Sequence, residues 1–298
     1  MTKTLLLFFI LIIQACSQSS SSTQKPMLWE ITGNNLKTPS YLFGTFHTRD
    51  PKINTLPSRV LLALHASKRL YTEILMSNKE VQEIITFTKL HTSHPLKQRL
   101  HPKIFHHLQE YLKASPANFT LRQFSHYKTW GIALMIANQE DISLYPHTLF
   151  MDEQLIQIAK QAHIKTMGLE TPLEQLYYFD TLNKQEQELF LIDMLTQSED
   201  TDYKDALTTW YSQGGATGFI ALQERYASST LKHQRLDKKL LSGLLYERNI
   251  RFQRRIHILL QNNPKLSYFF ALGAGHLSDE KGLVSTLKRL GYKIKKLN

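Results

Sequence analysis

The stretch YFFALGAGHLSDE, residues 268–280, carries an uninterrupted apolar run into a glycine, two further residues and a histidine. The stretch SYLFGTFHTRD, residues 40–50, repeats the pattern. A short apolar run bounded by small and polar residues is typical of a buried strand. The two motifs are Gly44-x-x-His47 and Gly273-x-x-His276. We therefore expect two strands, each followed by a histidine.

The residue types in these motifs point to chemistry. A glycine lets the backbone approach a neighbour or a ligand closely, and a histidine can bind a metal or act as a general base near neutral pH. A single histidine at a strand end is more often structural. Its repetition favours a functional role for His47 and His276, with Gly44 and Gly273 shaping their surroundings.

The order of the other segments predicts an α/β fold. Residues 27–32 form a predicted hairpin with the first motif strand, and residues 69–76 and 164–170 are further predicted strands. Helical spacing fills most of the intervening chain, as in residues 151–163. We expect a central mixed sheet flanked by helices, with a large helical insert between the two G-x-x-H motifs.

Four candidate side chains fall near predicted strand ends: His47, Glu73, Glu170 and His276. Sites in open α/β sheets form beyond the carboxyl ends of the strands, so we expect one shared site. Glu73 lies among apolar residues, where a buried carboxylate needs a partner or a metal ion. The alternative is a glutamate at a strand edge that faces solvent.

Glu170, Arg248 and Asn249 are the weaker candidates. Thr171 and Glu174 have the spacing of a capping box, which leaves Glu170 as a supporting carboxylate. Arg248 and Asn249 lie in a basic amphipathic segment, LLYERNIRFQRRIHILL. This segment is either a solvated helix face or one that places Arg248 over an anionic intermediate or a carboxylate.

The N-terminal residues predict export. An apolar run over residues 5–13, too short to span a membrane, leads into Ile-Gln-Ala-Cys, which resembles a bacterial lipobox ending at Cys16. Cys16 is the only cysteine, so a disulfide framework is excluded. The alternative is an ordinary signal peptide cleaved near Ala15. The predicted organisation is a signal peptide over 1–15, a lipidated flexible tether over 16–26 and one α/β domain over 27–298.

Localisation and partners follow from this organisation. We expect attachment to the bacterial cell envelope through the lipid, on the periplasmic face of the outer membrane if the host has two membranes. Ser17 is not the aspartate that usually signals inner-membrane retention. The net charge of +11 is spread along the chain, so we expect no nucleic-acid partner.

Taken together, these motifs resemble the TraB/GumN family, which is related to the Tiki metalloproteases. The matching stretches stand in family order: LWEITGNNLKTPSYLFGTFHTRD, RLYTEILM, MDEQLIQIAKQAHIKTMGLETPLEQL, LLYERNIRFQRRI and FFALGAGHLSDEKGLVSTLKRLGYKIKKL. The resemblance implies a fold shared with erythromycin-esterase-like and haem-binding ChaN-like proteins. In the Tiki branch it implies a peptidase that depends on a divalent metal.

The resemblance also implies roles for individual residues. His47, Glu73 and His276 match the catalytic and metal-binding core, while Glu170, Arg248 and Asn249 match other recurrent family positions. One departure concerns the first glutamate, which the family often follows with a second acid. Here the residues after Glu73 are ILMSN, so the chain either supplies a second carboxylate from elsewhere or binds metal poorly.

The leading hypothesis is an envelope-anchored hydrolase, a peptidase that uses Mn²⁺, Co²⁺ or Zn²⁺ to activate water. Its substrate is an unidentified peptide or small molecule. One alternative is a metal-free, esterase-like hydrolase in which His47 activates water directly. The other is a lipoprotein that binds haem, metal or a peptide without turnover.

Overall fold

The computed structural model describes residues 25–297 except 91–93, 116–118, 138, 197–200 and 228–229. The predicted signal peptide, Cys16 and most of the predicted tether lie outside the described residues. Within the described part of the chain, no helix is long and apolar enough to cross a membrane.

A six-stranded mixed sheet confirms the predicted fold class. Its strands are β1 (Leu28–Gly33), β2 (Ser40–Thr45), β3 (Arg69–Thr72), β4 (Lys165–Gly168), β5 (Tyr268–Gly273) and β6 (Tyr292–Lys296). Their order across the sheet is β4-β3-β5-β2-β1-β6. The four strands β4, β3, β5 and β2 are parallel, and β1 runs antiparallel to both β2 and β6. Each residue of β5 is buried, as expected of an apolar strand inside a parallel sheet.

The predicted hairpin is β1–β2. Its turn begins with three residues in the left-handed region, Gly33, Asn34 and Asn35, with φ of 77°, 47° and 65°. Glycine and asparagine tolerate this conformation best, which explains the sequence GNN at this position. The hairpin sets β2 beside β5 in the middle of the sheet, while β1, the first strand, pairs with β6, the last strand, at one edge.

The described residues contain fifteen α-helices. They are α1 (Ser58–Ala66), α2 (Asn78–Thr88), α3 (Leu96–Arg99), α4 (Pro102–Ala114), α5 (Leu121–Phe124), α6 (Thr129–Ala137), α7 (Gln139–Leu144), α8 (Met151–Gln161), α9 (Pro172–Asp180), α10 (Lys184–Thr196), α11 (Thr201–Ser212), α12 (Phe219–Arg225), α13 (Leu231–Leu241), α14 (Glu247–Asn262) and α15 (Leu283–Arg289). A π-helical turn, Ser242–Tyr246, joins α13 to α14.

The described residues divide into two compact units. Met76–His147 and Pro172–Thr201 form a helical unit, and the sheet with its own helices forms the other. The helical unit is built around α6, which is apolar on all sides, and Trp130 of α6 donates to Asp180 Oδ1 at 2.7 Å. The helical insert is thus made of two separate pieces of chain, between which α8 and β4 return to the sheet unit. That residues 27–298 form one domain stays a prediction.

Candidate active site

The sheet register brings the predicted site residues to one edge. Thr45 of β2 lies opposite Gly273 of β5, so both G-x-x-H motifs leave neighbouring strands at the same level. On the other side of β5, Thr72 of β3 lies opposite Gly168 of β4. Backbone pairing continues past these strands, because the Glu170 amide donates to the Glu73 carbonyl at 2.8 Å.

Arg248 is the centre of a buried charged cluster. Its side chain is 1% exposed. Its Nε donates to Glu170 Oε1 at 2.7 Å, and its Nη2 contacts both Glu170 Oε1, at 2.6 Å, and Glu73 Oε2. Arg251 adds a second guanidinium, 3.3 Å from Glu170 Oε2. Arg248 therefore lies over carboxylates of the protein itself, on the buried face of α14 and not on a solvated face.

Glu73 has both carboxylate oxygens engaged. Oε1 accepts a hydrogen bond of 2.7 Å from the Gly273 amide, and Oε2 pairs with Arg248. Burial alone raises the pKa of this carboxyl, but the Arg248 guanidinium and the Gly273 amide outweigh it and lower the pKa to about 2. Glu73 is thus a buried, ionised carboxylate and not a strand-edge residue that faces solvent.

His276 is held as a neutral imidazole. Its Nδ1 donates to Asn249 Oδ1 at 2.7 Å, and the Asn249 amide is oriented by donating to the Lys281 carbonyl at 2.9 Å. This leaves the lone pair of Nε2 to accept from Arg248 Nη1 at 3.0 Å. Burial lowers the pKa of His276 to about 3, so the ring carries no charge at neutral pH.

The π-helical turn before α14 helps to hold the Arg248 side chain in place. The Leu244 carbonyl, inside this turn, accepts from Arg248 Nη1 at 3.1 Å. The Phe252 ring, one turn further along α14, lies 5.1 Å from the guanidinium carbon. π-Helical turns occur preferentially where a helix positions functional side chains.

His47 lies in a more accessible place than His276. Its side chain is 18% exposed, and its Nε2 is 3.3 Å from Asp152 Oδ2 at the start of α8. The Phe150 ring packs against the imidazole, with 5.7 Å between ring centroids. The first turn of α8 thus forms one wall around the first motif.

Asp152 is the site residue that sequence reasoning missed. Its Oδ1 accepts from the Thr45 hydroxyl at 3.2 Å, while no donor in the described part of the chain reaches the buried Oδ2 with hydrogen-bond geometry. Burial raises the pKa of Asp152, and His47 opposes that change. Acids in the first turn of a helix are common because they favour its N-terminus. The sequence around Asp152 is therefore explained by helix stability alone. Its place in the site is seen only from the contact between α8 and β2.

Gly44 has the structural reason predicted for it. A Cβ at this position would lie 3.0 Å from Met27 Cβ and 3.3 Å from the Ala274 backbone. The Gly44 carbonyl also accepts from the Tyr211 hydroxyl at 2.9 Å. The glycine therefore allows the strand end to pass close to the second motif.

The predicted metal ligands do not fit a divalent ion in this arrangement. Glu73 and His276 direct their acceptor atoms at the Arg248 guanidinium, so a cation already fills the position between them. Within the described residues, no group of three or more His, Cys, Asp or Glu side chains is placed to hold one ion. His47 and Asp152 present two potential ligand atoms, Nε2 and Oδ2, away from this guanidinium.

The chain belongs to the TraB/PrgY/gumN family, whose model matches residues 27–296. The metalloprotease TIKI2 of Danio rerio is 26% identical, over 92% of this chain and 61% of the relative. The metalloprotease TIKI homolog of Nematostella vectensis is 23% identical, over 95% of this chain and 69% of the relative. For the metalloprotease TIKI1 of Xenopus tropicalis, the identity is 23%, over 94% of this chain and 63% of the relative.

The chain therefore spans less than two thirds of the length of two of these three relatives. No solved structure matches it significantly. The family membership confirms the predicted resemblance to the TraB/GumN family, and the relatives named above are metalloproteases by name.

Proposed function

We propose that this protein is a hydrolase in which His47 is the general base and Asp152 orients it. The observation that carries the proposal is the contact between His47 Nε2 and the buried Asp152 Oδ2, 3.3 Å apart, in which 18% of the His47 side chain remains exposed. A base oriented by a carboxylate is the arrangement that activates water or a nucleophile in many hydrolases. The metalloprotease relatives support the same reaction class.

The proposed proton transfer uses His47 and Asp152 directly. In the proposed reaction the His47 ring turns enough to give the 3.3 Å contact between Nε2 and Asp152 Oδ2 hydrogen-bond geometry, so that Nε2 carries the proton and the lone pair of Nδ1 takes a proton from water. The Thr45 hydroxyl holds Oδ1 of Asp152, so the carboxylate keeps its position when the imidazole becomes positively charged. Glu73, Arg248 and His276 bond to one another and to the Gly273 amide, and so hold the ends of β3 and β5 together.

A metal-dependent hydrolase is the second candidate, and the names of the relatives favour it. Mn²⁺, Co²⁺ and Zn²⁺ are the ions to examine. Glu73 and His276, two of the three predicted ligands, are bonded to Arg248. The third, His47, has Asp152 as its neighbour.

The test is a panel of peptide and ester substrates incubated with the purified full chain, with products identified by mass spectrometry. We expect hydrolysis that falls at least 100-fold in His47→Ala and by a similar factor in Asp152→Asn. His107→Ala, on the exposed side of α4, is the matched control and keeps full activity. Full activity in a His47→Ala, His276→Ala double variant would exclude this site.

The same assay separates the candidates. Activity that survives a chelator supports direct activation of water by His47, and activity that requires added metal supports the second candidate. Tight ligand binding by calorimetry without any product favours a binding lipoprotein. We further propose attachment of the chain to the cell envelope through Cys16, on the basis of the lipobox-like sequence.

A further inference from the structure

We infer that Arg248 is the cation of the inner site, so that Glu73 and His276 bind a guanidinium in place of a divalent metal ion. This inference does not depend on the reaction that the protein catalyses. Metal binding alone tests which atoms of Glu73 and His276 are open to a ligand.

The acceptor atoms of Glu73 and His276 are already bonded to donors of the protein. Glu73 Oε1 accepts from the Gly273 amide at 2.7 Å, and Glu73 Oε2 pairs with Arg248. The remaining lone pair of the His276 ring, on Nε2, accepts from Arg248 Nη1 at 3.0 Å. A metal ion at this place would have to displace the Arg248 guanidinium from these acceptor atoms. Because the Arg248 side chain is 1% exposed, the displaced guanidinium could not bond to water instead.

The charges of the inner cluster balance without a metal ion. Glu73 and Glu170 supply two negative charges to the cluster, and Arg248 and Arg251 supply two positive ones. A divalent ion added to this buried set would leave an excess of positive charge in a medium that solvates it poorly. Arginine is suited to such a place because it stays protonated and binds carboxylates through several N–H groups at once.

The Arg248 guanidinium is held in place by several contacts. Its Nε and Nη2 are tied to Glu170, its Nη1 is tied to the Leu244 carbonyl in the π-helical turn, and the Phe252 ring lies against it. The side chain is therefore held on several sides by the sheet edge and by α14. Removing it frees acceptor atoms of Glu73, Glu170 and His276, which are ligand types that Zn²⁺ and Co²⁺ accept. These side chains are not placed around one ion in the wild type and would have to move closer together to bind it.

The experiment is a titration of the purified full chain with Co²⁺, followed by calorimetry and by the visible absorption of bound Co²⁺. The proteins are the wild type, His276→Gln, Arg248→Ala and the double variant. We expect the wild type and His276→Gln to give the same titration, whether or not either protein binds Co²⁺ elsewhere. Arg248→Ala is expected to gain one bound Co²⁺ with at least a tenfold higher affinity than the wild type, and the double variant to lose it.

Loss of Co²⁺ binding in His276→Gln, with Arg248 present and the circular dichroism spectrum unchanged, would overturn the inference. If Arg248→Ala does not fold, the comparison of wild type with His276→Gln still decides. If His276→Gln does not fold, ¹⁵N spectra of histidine-labelled wild type decide in its place. A His276 Nε2 signal that stays fixed on addition of Zn²⁺ supports the inference, and a shift of that signal contradicts it.

Discussion

Arg248 stands in a segment whose composition is that of a basic surface helix, yet its side chain is almost completely buried. The amphipathic pattern of α14 is real, since Arg254 on the same helix is exposed. What the sequence cannot supply is the identity of the groups that the buried face meets. Glu73 and Glu170 lie 175 and 78 residues away along the chain. Long-range pairing of this kind leaves no mark in local periodicity.

Replacing Arg248 by Gln is expected to destabilise the protein by about 3–5 kcal/mol, because it leaves Glu73 and Glu170 buried without their charge partner. Urea denaturation measures this free energy of unfolding. Arg254→Gln, on the exposed face of the same helix, is the control and is expected to change it by less than about 0.5 kcal/mol. Equal effects of the two substitutions would contradict the buried cluster.

His276 predicts a dependence of stability on pH. The folded protein holds this histidine neutral down to a pKa of about 3, whereas the unfolded chain protonates it below about pH 6.5. The unfolded state therefore binds more protons as the pH falls, and this group removes about 1.4 kcal/mol of stability per pH unit between roughly pH 6 and pH 4. The stabilising contribution is complete above pH 6.5.

Denaturation curves of wild type and His276→Gln, recorded from pH 7 to pH 4, measure this effect. The variant is expected to lose stability less steeply with acid, since Gln does not titrate. Parallel pH profiles for the two proteins would show that His276 is not held neutral. Asp152 and Glu170 have raised pKa values and work in the opposite direction, but they are present in both proteins.

The strands carry most of what was predictable about the site. Apolar runs predict the strand ends beside His47, Glu73, Glu170 and His276, and the parallel alignment of β4, β3, β5 and β2 puts those ends together. The order of the strands was not predictable, because pairing depends on which apolar faces meet in space. The contribution of α8 to the site was not predictable for the same reason. Its first turn has the sequence of an ordinary helix N-terminus, and only the packing of α8 on β2 brings Asp152 to the site.

Gly44→Ala is expected to destabilise the protein by about 1–3 kcal/mol. The added methyl group would lie 3.0 Å from Met27 Cβ, and the neighbouring Ala274 backbone cannot move aside freely. Thermal unfolding measures the loss.

Gly131→Ala is the matched control within α6. There an added Cβ meets Thr88 at an ordinary contact distance of 3.5 Å, and alanine favours the helix. We expect this variant to be as stable as the wild type or more stable by about 0.5–1 kcal/mol. The same loss in both glycine variants would show that Gly44 has no special role.

The whole chain is expected to remain with membranes after cell breakage, through a lipid on Cys16. In Cys16→Ser, expressed in a bacterium with two membranes, the protein is expected to move to the soluble fraction or to keep an uncleaved signal peptide. Fractionation followed by mass spectrometry of the N-terminal peptide measures both outcomes. A wild-type N-terminus that starts after Ala15 without lipid would favour the ordinary signal peptide.

The contact between Glu73 and the Gly273 amide joins residues 200 positions apart. The inner cluster therefore cannot form until β5 has entered the sheet between β3 and β2, when nearly all of the chain is available. Before that step, Glu73 and Arg248 remain hydrated and the strand edges of β3 and β2 are open. The cluster is therefore expected to form late in folding, and protease resistance of the sheet unit is expected to appear in one step with it.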